Sequence, residues 1–269
     1  MTHGFNCVKE MLLPEIAERF QSSGYNALIY DPRSIGDSDG LPRNYINPLQ
    51  QAEDLSDVLT HVATFPSVDA NRIVLWGMSF GATVSACSAA VDRRARAVVM
   101  VCPIFSFVQP SKRERAFAQL IRDRESQLRG NEAVSLPPFN SRGENPIGMA
   151  GSGGPGGLEA YEFMRAVVDR GAPGFRDRVT LQTYRNLAVF RPVELLDMVR
   201  APVMMVVPEL DDISPAQEQE EAFERFGKQQ PKTTLYRAAG KGHLTVLSGE
   251  GSEEILDAQV DFIKEALEE

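Results

Sequence analysis

The chain has 269 residues, of which 43% are hydrophobic and 24% are charged, an ordinary composition for a globular protein in water. This length suits one large α/β domain, or one such domain with an inserted lid. With 28 basic and 37 acidic residues the formal charge is −9, which makes the chain a poor candidate for binding nucleic-acid phosphates.

The cysteines and the apolar runs bear on where the protein acts. The three cysteines Cys7, Cys87 and Cys102 are too few for a disulfide framework and show no CxxC spacing, which favours a reducing compartment. No apolar run approaches membrane-spanning length, and the N-terminus lacks the hydrophobic segment of a signal peptide. We therefore expect a cytoplasmic protein without membrane or nucleic-acid partners.

The first elements along the chain alternate between helix and strand. Apolar spacing predicts a helix over residues 7–20, interrupted near its start by Pro14. A buried strand is predicted at Tyr25–Tyr30, and the Gly, Pro, Asp and Ser residues of Asp31–Gly40 predict a turn-rich loop after it. An amphipathic helix is predicted over 47–64.

The next stretch carries the strongest motif of the sequence. A buried strand is predicted through Ile73–Trp76 and a tightly packed helix from Ser79 onward, and between them Gly77–Gly81 matches the G-x-S-x-G nucleophile elbow. Glycines on both sides of the serine remove Cβ atoms that would collide in such a sharp turn. The hydroxyl of Ser79 should then project from the carboxyl edge of the sheet, beside a helix N-terminus that favours negative charge.

After the elbow the pattern continues and then changes. A strand is predicted at Ala97–Val101, and the alternation of strands with helices indicates parallel βαβ units that bind ligands at the carboxyl ends of the strands. Residues 105–190 are interpreted as a mainly helical cap inserted into a core formed by 1–104 and 191–269. Its predicted helices are Ser111–Leu128, near 158–170 and 180–198.

Two stretches of the predicted cap resemble anion sites only superficially. The glycine-rich tract Gly148–Gly157 has no strand before it and no Lys-Ser/Thr after it, so it is interpreted as a hinge or lid loop and not as a phosphate loop. The basic cluster Lys112–Arg115 is interpreted as a solvated helix face in preference to an anion site.

The alternation returns in the last third of the chain. A continuous apolar strand is predicted at Ala201–Pro208, and Ser214–Gln217 has the N-cap serine, N1 proline and N3 glutamine of a capped helix. A short strand at Thr233–Tyr236 leads into the loop Gly240–His243. The final prediction is a helix over Ser252–Leu267.

The order of polar residues after these strands predicts serine chemistry. A serine hydroxyl is a weak nucleophile unless a base takes its proton and a carboxylate orients that base. Ser79, an acid after a late strand and His243 after the last strand follow the Ser…Asp/Glu…His order of elbow enzymes. Asp211 is favoured as the acid because it lies nearer the strand end, and Asp212 is the alternative.

Acyl transfer also needs donors for the developing oxyanion. One donor should be the backbone N–H of Phe80, directly after the nucleophile. The other should come from the loop after Gly4, with the N–H of Phe5 preferred and that of Asn6 as the substitute. We expect neither a metal ion nor a cofactor.

Five ordered motifs, spread over almost the whole chain, together resemble the α/β-hydrolase superfamily. They are His3-Gly4-Phe5, Asp31–Gly40, Gly77–Gly81, Asp211–Pro215 and Gly242-His243. Within the superfamily, Met1–Glu10 and Val206–Asp211 look most similar to the fungal polyketide-transferase and polyketide-hydrolase group of secondary-metabolite clusters. The resemblance implies a mostly parallel sheet flanked by helices, and an acyl or ester substrate derived from a polyketide.

The N-terminus departs from the family pattern. Family members normally carry a β-hairpin and most of a third strand before the His-Gly motif, so about three strands are expected to be missing and one sheet edge to be unpaired. A truncated gene product and a partner that covers the edge, such as a second copy in a homodimer, are the two explanations.

These inferences predict a serine hydrolase or acyltransferase that acts on a small-molecule ester, thioester or lactone carbonyl. The alternatives are a general carboxylesterase and a non-catalytic protein that binds a polyketide-like ligand or assists its cyclisation.

Overall fold

The structure, a computed structural model, describes residues 1–149, 151–170, 174–226 and 232–268. Its main sheet has four parallel strands in the order β1-β2-β5-β6. Their bounds are Ile73–Met78 for β1, Ala95–Val101 for β2, Val203–Pro208 for β5 and Thr233–Ala238 for β6. The two central strands are nearly all aliphatic and almost wholly buried, as expected for a parallel sheet covered on both faces.

Eight α-helices accompany these strands in the described parts of the chain. They are α1 Leu13–Ser22, α2 Pro48–Val62, α3 Phe80–Val91, α4 Arg113–Leu128, α5 Pro155–Arg170, α6 Leu181–Val189, α7 Ala216–Phe223 and α8 Ser252–Glu268. One face of the sheet packs against α1 and α8, and the other against α2 and α3. The predicted α/β fold, a mostly parallel sheet flanked by helices, is confirmed.

Segment 105–190 contains α4, α5 and α6 and a two-stranded antiparallel sheet of β3, Ser135–Leu136, and β4, Val179–Thr180. Its apolar residues share one cluster with Phe5, Val8 and Phe80 from the N-terminal part of the chain. This cluster covers the carboxyl edge of the main sheet, where α3 begins. The division into core and cap stays a prediction, as do the missing N-terminal strands.

Several predicted bounds are corrected near prolines. The helix predicted over 7–20 begins only at Leu13, because Pro14 lacks an N–H and is tolerated only in a first turn. The helix predicted over 180–198 is divided: α6 ends at Val189, and Pro192–Met198 forms a 3₁₀-helix. A proline in the middle of a helix would remove a hydrogen bond and clash with the preceding turn.

The strand predicted at Tyr25–Tyr30 is wrong. In the described parts of the chain no ladder joins these residues to a strand, although the amino group of Met1 donates a hydrogen bond to the Leu28 carbonyl at 2.8 Å. The nearby Thr2 instead forms an isolated parallel bridge with Gly77. Apolar composition alone does not make a strand when the backbone lacks a paired neighbour.

The glycine-rich tract and the predicted cap of α7 are also corrected. Helix α5 begins at Pro155, so the last two glycines of the tract lie inside a helix and not in a hinge. The capping box is wrong: Pro215 occupies the N-cap position, and the Ser214 hydroxyl donates to the Pro103 carbonyl at 2.7 Å. Gln217 donates to Glu221 on the helix surface.

Candidate active site

Ser79 occupies a tight turn between β1 and α3, in the conformation that its motif predicts. Its φ of 59° and ψ of −124° are unfavourable for a residue with a side chain. A Cβ at Gly77 would lie 2.3 Å from the Gly81 carbonyl oxygen, and a Cβ at Gly81 would lie 2.3 Å from the His3 carbonyl oxygen. Only glycine at both positions allows the chain to reverse here.

Three side chains far apart in sequence form one hydrogen-bonded series at the carboxyl edge of the sheet. The Oγ atom of Ser79 lies 2.8 Å from Nε2 of His243, and Nδ1 of His243 lies 2.8 Å from Oδ2 of Asp211. All three residues are buried. Asp212 is exposed, so the structure brings Asp211, and not its neighbour, to the imidazole.

The carboxylate of Asp211 is held by the loop that follows β5. Its Oδ1 accepts hydrogen bonds from the amides of Ile213 at 2.9 Å and Ser214 at 2.7 Å. Its Oδ2 accepts a third bond, at 3.0 Å, from Nε2 of Gln219 on α7. Sequence analysis missed Gln219, because a glutamine one turn into a short helix has no motif of its own.

The imidazole of His243 faces Asp211, Cys102 and the half-buried Glu159 of α5. Burial opposes its protonation, but Cys102 and the Asp211 carboxylate favour it and raise the pKa of His243 above the ordinary value of 6.5. Cys102 Sγ lies 3.9 Å from Nε2. Burial raises the pKa of this thiol, which leaves Asp211 as the charge that stabilises the imidazolium.

The backbone amides predicted to bind an oxyanion lie beside the serine. A Cβ built on Gly4 would lie 3.5 Å from the Cβ of Ser79, so the loop before Phe5 touches the elbow. The rings of Phe5 and Phe80 stack edge to face at 5.7 Å. Within the described residues, neither amide donates to a protein acceptor. The substitute, Asn6, has its side chain bound to the Arg176 carbonyl and to Asn44.

The imidazole of His3 stabilises the same loop. Its Nδ1 lies 2.9 Å from the carbonyl oxygen of Gly4, to which it donates, while Nε2 has no hydrogen-bond partner among the described residues. Burial lowers the pKa of His3 below its ordinary value, although Gly4 and Asp31 oppose that shift. Through its hydrogen bond to the Gly4 carbonyl, a neutral His3 therefore stabilises the backbone that carries the Phe5 amide.

A pocket with a cavity volume of about 60 Å³ extends from Ser79 and His243 towards the helices of segment 105–190. Apart from His3, Cys7 and the reacting side chains, its walls are apolar and unusually rich in methionine and phenylalanine. These wall residues include Met11, Ile104, Phe139, Met149, Phe163, Met164, Ile213 and Leu244. Flexible thioether and aromatic walls of this kind accommodate an apolar chain of variable shape.

Three carboxylates near the N-terminus, those of Glu10, Asp31 and Asp37, lie close enough together to consider a metal ion. The ammonium group of Lys9 already contacts all three, at 2.8, 2.9 and 2.6 Å. The cluster is therefore an ion-pair network. Across residues 1–149, 151–170, 174–226 and 232–268, no helix combines the length and apolar character of a membrane span.

Comparisons with known proteins identify the family of the chain. The model of the alpha/beta hydrolase family matches residues 1–258. A thiohydrolase of Eupenicillium brefeldianum is 45% identical over 98% of this chain and 84% of its own length. Polyketide transferase af380 of Aspergillus fumigatus is 37% identical, over all of this chain and 89% of its own.

Two solved structures are similar over nearly the whole fold. The structure of DcsB in complex with its substrate analogue is 67% identical and covers 99% of this chain and 90% of its own, with a TM-score of 0.95. The alpha/beta hydrolase GrgF from a Penicillium species is 38% identical over 100% of this chain and 89% of its own, with a TM-score of 0.87. The chain thus belongs to the alpha/beta hydrolase family, and within it to the group of fungal thiohydrolases and polyketide transferases.

Proposed function

We propose that this protein is a serine hydrolase or acyltransferase that takes a polyketide-type acyl group from a thioester. The observation that carries the proposal is the hydrogen-bonded series Ser79–His243–Asp211 at the mouth of an apolar pocket. The names of the relatives, thiohydrolase and polyketide transferase, suggest the thioester and the polyketide character of the acyl group.

In the proposed reaction, Ser79 Oγ attacks the thioester carbonyl while His243 Nε2 takes the hydroxyl proton. Asp211 holds the imidazole and stabilises its positive charge. The amides of Phe80 and Phe5 bind the oxyanion, a contribution of about 3–4 kcal/mol per donor in other enzymes. Collapse of the intermediate releases the thiol, protonated by His243, and leaves an ester on Ser79.

The second half of the reaction uses the same groups in reverse order. His243 removes a proton from water or from an alcohol, which attacks the ester on Ser79 and releases the acid or a new ester. Hydrolysis and transfer differ only in which nucleophile reaches the acyl group, so one site supports both. The apolar pocket would hold the acyl chain away from bulk water during this interval.

The thiols bear on where in the cell the protein acts. All three cysteines are buried and free. Buried free thiols support the cytoplasmic location expected from the sequence, where reduced cysteines persist.

The test is turnover of the N-acetylcysteamine thioester of octanoic acid and of the matching ethyl ester. We expect the thioester to be preferred, and Ser79→Ala and His243→Asn each to lower kcat/KM by at least about 10³-fold. His61→Asn is the matched control, since His61 is exposed on α2. Full activity of Ser79→Ala would contradict the proposal, and preference for the ethyl ester would favour a general carboxylesterase.

A further inference from the structure

A second concavity, here called the α4–α6 groove, lies on the outer side of segment 105–190. It has a volume of about 630 Å³, is formed by α4, α6 and the loop 105–108, and contains none of the side chains proposed for catalysis. Three exposed arginines and three exposed apolar side chains mark it. They are Arg113, Arg185 and Arg191, and Phe117, Ile121 and Val189.

The charge of the groove is opposite to that of the protein. Its lining includes the three arginines but no aspartate or glutamate, although the chain as a whole carries a formal charge of −9. Among the described residues, the arginines that form ion pairs are Arg19, Arg33, Arg94, Arg129, Arg142, Arg165, Arg225 and Arg237, and neither Arg113 nor Arg185 is one of them. Arg191 donates only to the carbonyls of Ala188 and Phe190. The groove is thus a positive site whose charge is unneutralised.

The apolar residues between the arginines are unusually exposed. Phe117 is 40% exposed, Ile121 55% and Val189 73%. Phe117 and Ile121 lie four residues apart on α4 and therefore on one side of that helix. An apolar strip bounded by arginines is complementary to an amphipathic helix with acidic flanks. The apolar face of such a helix would be buried on the strip, and its carboxylates would pair with the arginines.

The groove adjoins the active site through one aromatic side chain. Phe107 lines the groove and packs edge to face on Phe80, at 6.1 Å between ring centroids. Its ring also contacts that of Phe190, at 5.5 Å. Because Phe80 directly follows Ser79, the floor of the groove contacts the residue next to the elbow serine.

We propose that the α4–α6 groove docks an acidic amphipathic helix of the carrier domain that delivers the acyl group as a thioester. This inference rests on the proposed function, because only a thioester substrate gives such a carrier a role. The groove is concave and lies between two helices, a shape that receives a helix better than a membrane surface. A second copy of this chain fits the groove less well. In a symmetric dimer through this surface, the positive groove of one copy would face the positive groove of the other.

The test measures binding and turnover separately. The binding probe is an acidic acyl-carrier domain of a fungal polyketide synthase, titrated against Ser79→Ala protein, in which no turnover interferes. Changing Arg113 and Arg185 together to Glu should raise Kd at least about 10-fold, and added salt should weaken wild-type binding. Arg113→Glu and Arg185→Glu are also made singly, and Arg96→Glu is their matched control: the same charge change on an exposed residue near the opposite, amino end of β2.

In turnover, the informative quantity is the ratio of kcat/KM for the octanoyl carrier domain to kcat/KM for octanoyl N-acetylcysteamine. The groove variant should lower this ratio at least about 10-fold, and Arg96→Glu should leave it unchanged. An unchanged Kd in the groove variant overturns the inference. Two other results also overturn it, if the affinity for the carrier domain is unchanged. In one, wild-type protein forms a dimer in light scattering that the groove variant does not form; in the other, wild-type protein binds anionic vesicles and the groove variant does not. Failure of both substrates with wild-type protein contradicts the proposed function instead, while the Kd still decides the docking site.

Discussion

Asp211 has three hydrogen-bond donors besides His243, and this environment defines what the residue does. Two backbone amides and Gln219 satisfy its oxygens, so the carboxylate is both buried and fixed in direction. A buried charge without such partners would be costly. Its Oδ2 also faces Nδ1 of His243, so its negative charge would stabilise the imidazolium.

The first prediction concerns the pH dependence that this contact creates. The base must be neutral, so kcat/KM should rise with pH and level off above the pKa of His243, which lies higher than 6.5. Asp211→Asn removes the charge that raises this pKa. The variant's profile should shift to lower pH, and its kcat should fall by about 10⁴-fold, as for the corresponding change in a serine protease. A profile at the wild-type position would show that Asp211 does not set the pKa.

Among single residues, the sequence predicts those site residues that belong to a motif and misses those that do not. The meeting of Ser79, His243 and Asp211 could be predicted from the elbow glycines, the chain order and the position of Asp211 at a strand end. The roles of Gln219 and of Ser214 could not, because their partners, Asp211 and the Pro103 carbonyl, are brought close only by the folding of β2 and β5. Side-chain partners across elements leave no trace in local spacing.

Helix α5 positions the Asp211 loop through glycines at its start. A Cβ on Gly156 would lie 2.2 Å from the carbonyl oxygen of Asp212, so only a glycine allows α5 to approach this loop. The glycine-rich tract, predicted as a hinge, is in this part a close packing contact. Composition could not distinguish a hinge from a close packing contact, because both need glycine. Only the presence of a neighbouring segment in the fold separates the two cases.

The second prediction tests this contact. Gly156→Ala should lower the free energy of unfolding by about 1–3 kcal/mol and should lower kcat/KM, because the loop that carries Asp211 must shift. Gly154→Ala is the matched control, since a Cβ there meets only the Gly151 carbonyl at 3.4 Å. Urea unfolding and thioester turnover of both variants provide the measurement. Equal effects of the two substitutions would refute the packing role.

Helices and strands could be predicted best where their apolar pattern is long and regular. The continuous apolar runs of β1, β2 and β5 could be recognised to within two residues at each end, and so could α2 and α8 from their helical spacing. The strands β3 and β4 have two residues each, too short for any period. Tyr25–Tyr30 has strand composition but no ladder, and pairing is a property of the whole fold.

For the whole molecule, one apolar cluster joins segment 105–190 to the rest of the protein. It includes Phe5 and Phe80 beside the active site, together with Leu120 of α4, Met164 of α5 and Tyr184 of α6. Residues of both parts thus lose their burial together when either part unfolds. Shared burial of this extent favours a single cooperative unit.

The third prediction follows from that cluster. Unfolding in urea should give one transition, with the same midpoint for the fluorescence of Trp76 and for far-UV ellipticity, to which α4–α6 contribute. Trp76 is the only tryptophan of the chain. It is buried in β1, and its indole N–H donates a hydrogen bond to Gln259 of α8 at 2.8 Å. Two separated transitions would indicate that segment 105–190 unfolds on its own.

The central claim is that His243, held by Asp211, makes the Ser79 hydroxyl a nucleophile. The most direct measurement is intact-mass analysis after reaction with a fluorophosphonate, followed by peptide mapping. We predict one adduct per wild-type chain, located on Ser79, with none on Ser79→Ala and much slower labelling of His243→Asn. Equal labelling of wild-type and Ser79→Ala protein would contradict the account.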